Sequence, residues 1–197
     1  ALSIDNYLWS DDRTKLLIYT NSKKVWRSNS RGDYWLLNIK NNQLSQLGGK
    51  NVKDSSLMFA KFSPDGSKVA YVTDNNIYVE TLANHHIKQL TSDAGNGIIN
   101  GLFDWVYEEE FSIRDGFRWS PNGKSIAYWQ LDTRGSKDFT MINNTDELYP
   151  TLTTFPYPKV GEENALAKIG IVNVSNAKTT WAKLPNNSRE MYVPRMN

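Results

Sequence analysis

What most constrains the fold of this chain is that it repeats itself. Phe62-Ser63-Pro64-Asp65-Gly66-Ser67-Lys68-Val69-Ala70-Tyr71-Val72 is echoed 57 residues later by Trp119-Ser120-Pro121-Asn122-Gly123-Lys124-Ser125-Ile126-Ala127-Tyr128-Trp129. A degenerate copy, Trp9-Ser10-Asp11-Asp12-Arg13-Thr14-Lys15-Leu16-Leu17-Ile18-Tyr19, stands 53 residues before the first. In each copy an aromatic residue ends one apolar run and a β-rich run follows. In the two complete copies Pro fixes φ in the connecting segment and Gly accepts positive φ, which is turn chemistry. Each copy therefore predicts a β-hairpin. Further strand-like runs follow: Tyr34–Ile39 after the first, Asn76–Glu80 after the second and Ile169–Val174 after the third. Three or four short strands in each repeat of roughly 40 to 60 residues is the pattern of a β-propeller blade.

The expected fold is thus all-β, a partial β-propeller amounting to about three to four blades. Its repeat units lie near residues 9–50, 59–100 and 117–175 of a single propeller portion spanning 1–197. Helical periodicity is nearly absent, apart from a turn or two around Asp104–Phe111, where Asp104 can serve as N-cap. Two stretches interrupt the repeat. Leu90 to Arg118 carries extra residues, and Asp132 to Pro158 reads as a long loop rich in Asn, Thr, Tyr and Pro. Loops of that length in a compact array are functional or disordered. Three repeats and the start of another are fewer than a closed ring needs, so the chain is expected to be part of a longer protein.

Composition removes several function classes. The net charge is +2, without Lys/Arg clusters interleaved with aromatics, so nucleic acid is not an expected partner. No apolar run approaches the ~18 residues of a membrane span. The first residues, Ala1-Leu2-Ser3-Ile4-Asp5, lack a charged region leading into an apolar one. Zero cysteines exclude disulfides and thiol catalysis. They favour an exported bacterial protein, in the periplasm or at the cell surface, over a eukaryotic ectodomain. Glycosylation triplets at Asn143, Asn173 and Asn186 matter only in a glycosylating cell.

No catalytic residue is expected within the chain. There is no Gly-x-Ser-x-Gly elbow, and His85 and His86 are adjacent, read as a solvated loop pair. No metal or cofactor motif is present. The feature that folding alone does not explain is Asp104-Trp105-Val106-Tyr107-Glu108-Glu109-Glu110-Phe111. Three adjacent carboxylates repel one another, and neighbouring aromatics make their ionisation costlier. Such a site wants a cation. The bland alternative is a solvated acidic face. For Lys23, Lys24, Arg27 and Arg31 the corresponding reading is a solvated edge strand.

That acidic run resembles the D-W-V-Y-E-E-E motif of the dipeptidyl peptidase IV family of serine exopeptidases. Four other elements resemble the same family in order. They are Lys23–Ser28, similar to its K-x-W-R element; Phe62–Gly66; Trp119–Gly123; and Pro156–Asn164, similar to its P-Y-P-K-x-G-x-x-N stretch. Ser28 departs from the histidine that relatives often carry there. The resemblance implies an eight-bladed propeller followed by an α/β-hydrolase domain that holds the serine, aspartate and histidine and lies outside this chain. It implies release of Xaa-Pro or Xaa-Ala dipeptides from amino termini. Glu109 and Glu110 would hold the substrate ammonium and Arg27 would orient a backbone carbonyl, with Glu108, Tyr107 and Asp104 in support. The partners expected are a peptide with a free amino terminus and the hydrolase domain of the same protein, and a homodimer is compatible. One conflict is built in: successive residues of a helix point about 100° apart, so two neighbouring acids share an ammonium only on a short or irregular turn. The competing class is a non-catalytic propeller that serves as a protein-binding scaffold.

Overall fold

Each Ser-centred turn joins two antiparallel strands with the same set of hydrogen bonds. In the computed structural model, which describes residues 3–184 and 189–196, the N–H groups of Lys15, Lys68 and Ser125 donate to the hydroxyls of Ser10, Ser63 and Ser120, each at 3.0 Å. Those hydroxyls donate to Asp12, Asp65 and Asn122. The αL position is filled by Gly66 (φ +63°) and Gly123 (φ +64°), and by Arg13 (φ +53°) in the degenerate copy. Hydrogen bonds from the Ser63 hydroxyl and the Ser67 N–H hold the Asp65 carboxylate down to about pKa 2.

The turns open three antiparallel meanders. The first contains β1 (Ile4–Trp9), β2 (Lys15–Val25), β3 (Ser28–Asn38) and β4 (Gln43–Gln46). The second contains β5 (Leu57–Phe62), β6 (Lys68–Thr73), β7 (Asn76–Thr81) and β8 (His86–Gln89). The insertion that follows carries β9 (Ile98–Asn100) and α1 (Trp105–Phe111). The third meander is formed by β10 (Phe117–Trp119), β11 (Ser125–Asp132), β14 (Leu166–Asn173) and β15 (Thr179–Trp181). Between β11 and β14 the chain makes an arm of two strands, β12 (Asp138–Asn143) and β13 (Thr151–Pro156). A short pairing of Arg31 with Met58 and Gly32 with Leu57 links the first two meanders. The described strands do not close into a barrel.

Period-two alternation distributes the core. On β6, Val69 and Tyr71 join Leu17, Leu36, Leu47 and Leu57 on the side of the first meander. Ala70 and Val72 join Ile126, Tyr128 and Val172 on the side of the third. Strand β6 is therefore buried on both faces and reads as a continuous apolar run. Each fully buried large apolar side chain contributes about 1.5–3 kcal/mol. On β11, Trp129 and Leu131 turn the opposite way, toward Phe103 and Tyr107 of the insertion. A buried polar network crosses this junction: Gln130 donates to Asp93 and Asn100, Asn100 donates to Asp93 and Asn76, and Thr91 donates to Asn76.

Three expectations change. The Asp132–Pro158 connection is not an open loop: β12 and β13 pair from Asp138↔Pro156 to Asn143↔Thr151, with Thr140 and Thr154 hydroxyls 2.8 Å apart across the ladder. Its Phe, Thr and Ile residues favour strands, but turn-forming Asn, Asp and Pro on either side mask that preference. His85 is exposed, yet its Nδ1 lies 3.0 Å from Glu80, whose carboxylate is buried and also accepts the Gly48 N–H. Finally, β2 has β3 along its whole length and β1 only as far as Thr20, so among the described residues Asn21 to Val25 has one open side, while Arg31 sits on β3. The Asn186 triplet lies outside the described residues.

Candidate amine-recognition site

Two glycines bring the insertion back to where it left the sheet. The Gly116 N–H donates to the Gly101 carbonyl at 3.0 Å, and a Cβ on Gly116 would stand 2.6 Å from the Gly101 carbonyl carbon, so the crossing excludes any side chain. Leu102 and Asp115 bridge just beyond. Lys61 of β5 binds the Asp115 carboxylate, donates to the Phe117 carbonyl at 2.7 Å and lies 3.6 Å over the Phe117 ring. Burial pushes its pKa down to about 8, against the opposing pull of Asp115. The neck of the insertion is thus pinned to the second meander.

Asp104 caps α1. Its backbone is extended, and its carboxylate accepts the Tyr107 N–H at 3.1 Å. Burial raises its pKa, opposed by that bond. Ser112 in the αL conformation (φ +55°) ends the helix after seven residues. Tyr107 is buried, stacks 5.3 Å from Phe103 and accepts the Val193 N–H at its hydroxyl; burial pushes its pKa up to about 12. Asp104 and Tyr107 therefore anchor the helix.

Helix geometry sends the three glutamates three ways. Glu108 is buried and accepts from Arg114 Nε at 2.9 Å; burial raises its pKa, and Arg114 opposes the rise. Glu109 meets Arg27, whose Nε lies 2.8 and 2.5 Å from its two carboxylate oxygens. Glu110 is exposed on the wall of a groove of about 1020 Å³ lined also by Trp105, Tyr157, Lys159 and Asn164. The structure thus brings Arg27 and Glu109 together across 82 positions of sequence. It leaves Glu110 apart from that pair, on the wall of a groove that neither Arg27 nor Glu109 lines, and withdraws Glu108 into a structural ion pair. The Arg27 contact runs through Nε, and the side chain is 76% exposed, so its terminal donors face solvent.

Arg27 sits on a two-residue turn between Val25 and Ser28. Trp26, first of the two, has φ +53°, a place where glycine is usual. A bulky residue held there stores about 1–3 kcal/mol of strain. The Trp26 ring rests 4.5 Å from Phe155 of the arm, and Phe155 lies 6.4 Å from Trp105 of α1, which in turn meets Tyr157 at 4.2 Å. Beneath them lies a cavity of about 270 Å³ lined by Trp26, Phe103, Trp105, Glu108 and Arg114. Sequence reading left Phe155 and Tyr157 without a role. The available signal was the adjoining Pro156-Tyr157-Pro158-Lys159 motif. Among the described residues no three His, Asp or Glu side chains are arranged to hold a metal ion, and no helix is long and apolar enough to cross a membrane.

Comparison with known proteins adds a family. The model of the dipeptidyl peptidase IV (DPP IV) N-terminal region matches residues 10–197. The chain belongs to this family. Among solved structures, the dipeptidyl peptidase 4 of Porphyromonas gingivalis superposes over 95% of the chain with a TM-score of 0.87 and 32% identity, and 26% of that protein is covered. Prolyl endopeptidase FAP of Homo sapiens is 32% identical over 89% of the chain and 23% of its own length. "Inactive dipeptidyl peptidase 10" of Rattus norvegicus is 30% identical over 93% of the chain and 24% of its own length. The chain thus spans about a quarter of such relatives. Its meanders and short helix are the all-β, β-propeller N-terminal region of the DPP IV family.

Proposed function

We propose that this chain is the substrate-gating part of a DPP IV-like serine exopeptidase, holding the free amino terminus of a peptide while an α/β-hydrolase domain of the same protein cleaves after the second residue. The observation that carries the reading is the Arg27–Glu109 contact beside Glu110. It joins a solvent-exposed guanidinium to the Glu109 carboxylate, and the next residue, Glu110, is exposed on the groove wall. A carboxylate has about four lone-pair sites, so Glu109 can accept from an ammonium while it orients Arg27. Glu110 supplies the second acceptor, and the free donors of Arg27 reach a backbone carbonyl. Each charge-assisted hydrogen bond is worth about 1.5–3 kcal/mol. Fixing the amine at one distance from a remote nucleophile counts off two residues, Xaa-Pro or Xaa-Ala, and rejects blocked termini. Asp104, Tyr107 and the Glu108–Arg114 pair hold the helix that presents the acids.

In this scheme the meanders are the amino-terminal blades of an eight-bladed propeller, the chain alone hydrolyses nothing, and the parent is exported by a bacterium. Exposed Ile142, Leu148 and Leu152 on the arm favour a homodimer. In the full-length protein, Glu109→Ala and Glu110→Ala should each lower kcat/KM for free-amine dipeptide substrates about 10- to 100-fold. Unchanged turnover in both variants removes the gating role. The second reading, a non-catalytic scaffold, gains support from the likeness to a relative named inactive. A serine nucleophile with its histidine in the remainder of the protein decides between the two.

A further inference from the structure

We propose that Phe155 is a positioning residue for amine recognition: its ring wedges between Trp26 and Trp105 and so sets the spacing of Arg27 from Glu109. The proposal rests on the amine-binding reading of those two residues. Its first support is the arm's burial pattern. Every residue of β12 and β13 is exposed or half-buried except Phe155, which is 6% exposed. An arm that spends its one buried side chain beside the candidate site is tied to that site.

The second support is connectivity. Arg27 stands on the β2–β3 turn and Glu109 on α1, and no strand pairing joins these two elements. Their direct link is the ion pair itself, in which the Arg27 side chain is 76% exposed, and a pair with one partner open to solvent holds little geometry on its own. Rigid rings do hold geometry, since each has only two side-chain torsions and packs closely. Phe155 meets Trp26 edge-on at 4.5 Å (63° between planes) and Trp105 at 6.4 Å, and Tyr157, two residues on, covers the Trp105 face at 4.2 Å. The residue before Arg27 and the first residue of α1 are thereby fixed to one another through the arm.

The third support is the backbone of Trp26. Positive φ at a tryptophan persists only where the surroundings over-determine it. The contact with Phe155 is such a constraint, and it aims the next residue, Arg27, at Glu109. Glycine would relax the turn but release the aim.

The experiment uses the full-length protein and a dipeptide amide with a free amine. Phe155→Ala is expected to raise KM about tenfold or more while kcat stays within about twofold, with Phe155→Leu recovering most of the loss. Trp26→Gly, which suits the positive φ and needs no refilled core, is expected to raise KM similarly while leaving thermal stability equal or higher. A purely structural role would not produce that opposition of affinity and stability. Glu109→Ala is run alongside. If it raises KM while Phe155→Ala and Trp26→Gly do not, the positioning role is overturned and amine recognition stands. If none of the three moves KM, the underlying reading fails as well. A parallel fall in kcat and stability in Trp26→Gly also overturns the proposal.

Discussion

At Ser10, Ser63 and Ser120 the chain closes each turn with groups no more than five residues away. Between Gly101 and Gly116 it does the reverse: the neck is held by Lys61, Phe103 by Trp129, and the helix by Phe155 and Val193, all far off in sequence. The two regions differ in what a substitution should do. A repeated turn is self-contained, so a change there is felt locally and weakly. The insertion hangs from distant partners, so loosening one of them displaces several groups at once. That division suits a recognition site. The meanders supply the stiff frame, and the chemistry sits on a segment whose geometry is adjusted by its neighbours.

Three results would break or sharpen this contrast. The largest effect is expected at the neck. Burial depresses Lys61, so between pH 8 and about 10.4 the unfolded chain binds the proton that the folded chain has lost, and stability rises with pH. Allowing for partial solvation, the gain from pH 8 to 10 is about 1–2 kcal/mol. Chemical denaturation should show it in the native chain and not in Lys61→Met, where Asp115 keeps Arg118 as its partner. Parallel pH profiles would mean that the neck is not pinned as described.

Removing the α1 cap comes next. Asp104→Ala should cost about 1 kcal/mol. Amide exchange should speed up at Tyr107 and Glu108 while β6 and β7 stay protected; uniform loss of protection would erase the distinction between frame and insertion. The smallest effect is at Arg13, which holds φ +53° where the other two turns have glycine. Arg13→Gly should be neutral or stabilising by up to about 1 kcal/mol in thermal denaturation. A clear loss would show that the degenerate turn depends on its arginine.

The same contrast explains what could be read from the residues. The Ser-Pro-Asp/Asn-Gly turns and the strands after them were legible because their partners lie within a few positions. So was the Asp104 cap, whose bond spans three residues. The acidic run announced an electrostatic oddity, but its partner did not follow from spacing. Arg27 is 82 positions from Glu109 and came only with the family resemblance. The divergence of the three glutamates was foreseen in outline from the 100° step per residue. The burial of Glu108 against Arg114 was not, since an acid's burial depends on what packs above it. The Glu80–His85 contact and the network around Asn100 left no local signature, and Phe155 left only its place beside the Pro156-Tyr157-Pro158-Lys159 motif. Each is an ordinary side chain made significant by the fold that surrounds it.

The most direct test of the account compares a dipeptide amide bearing a free amine with its N-acetylated counterpart, using the full-length protein and its Glu109→Ala and Glu110→Ala variants. If Glu109 and Glu110 hold the substrate amine, the native protein strongly prefers the free amine and that preference collapses in both variants. Preference for the free amine undiminished in both would contradict that role.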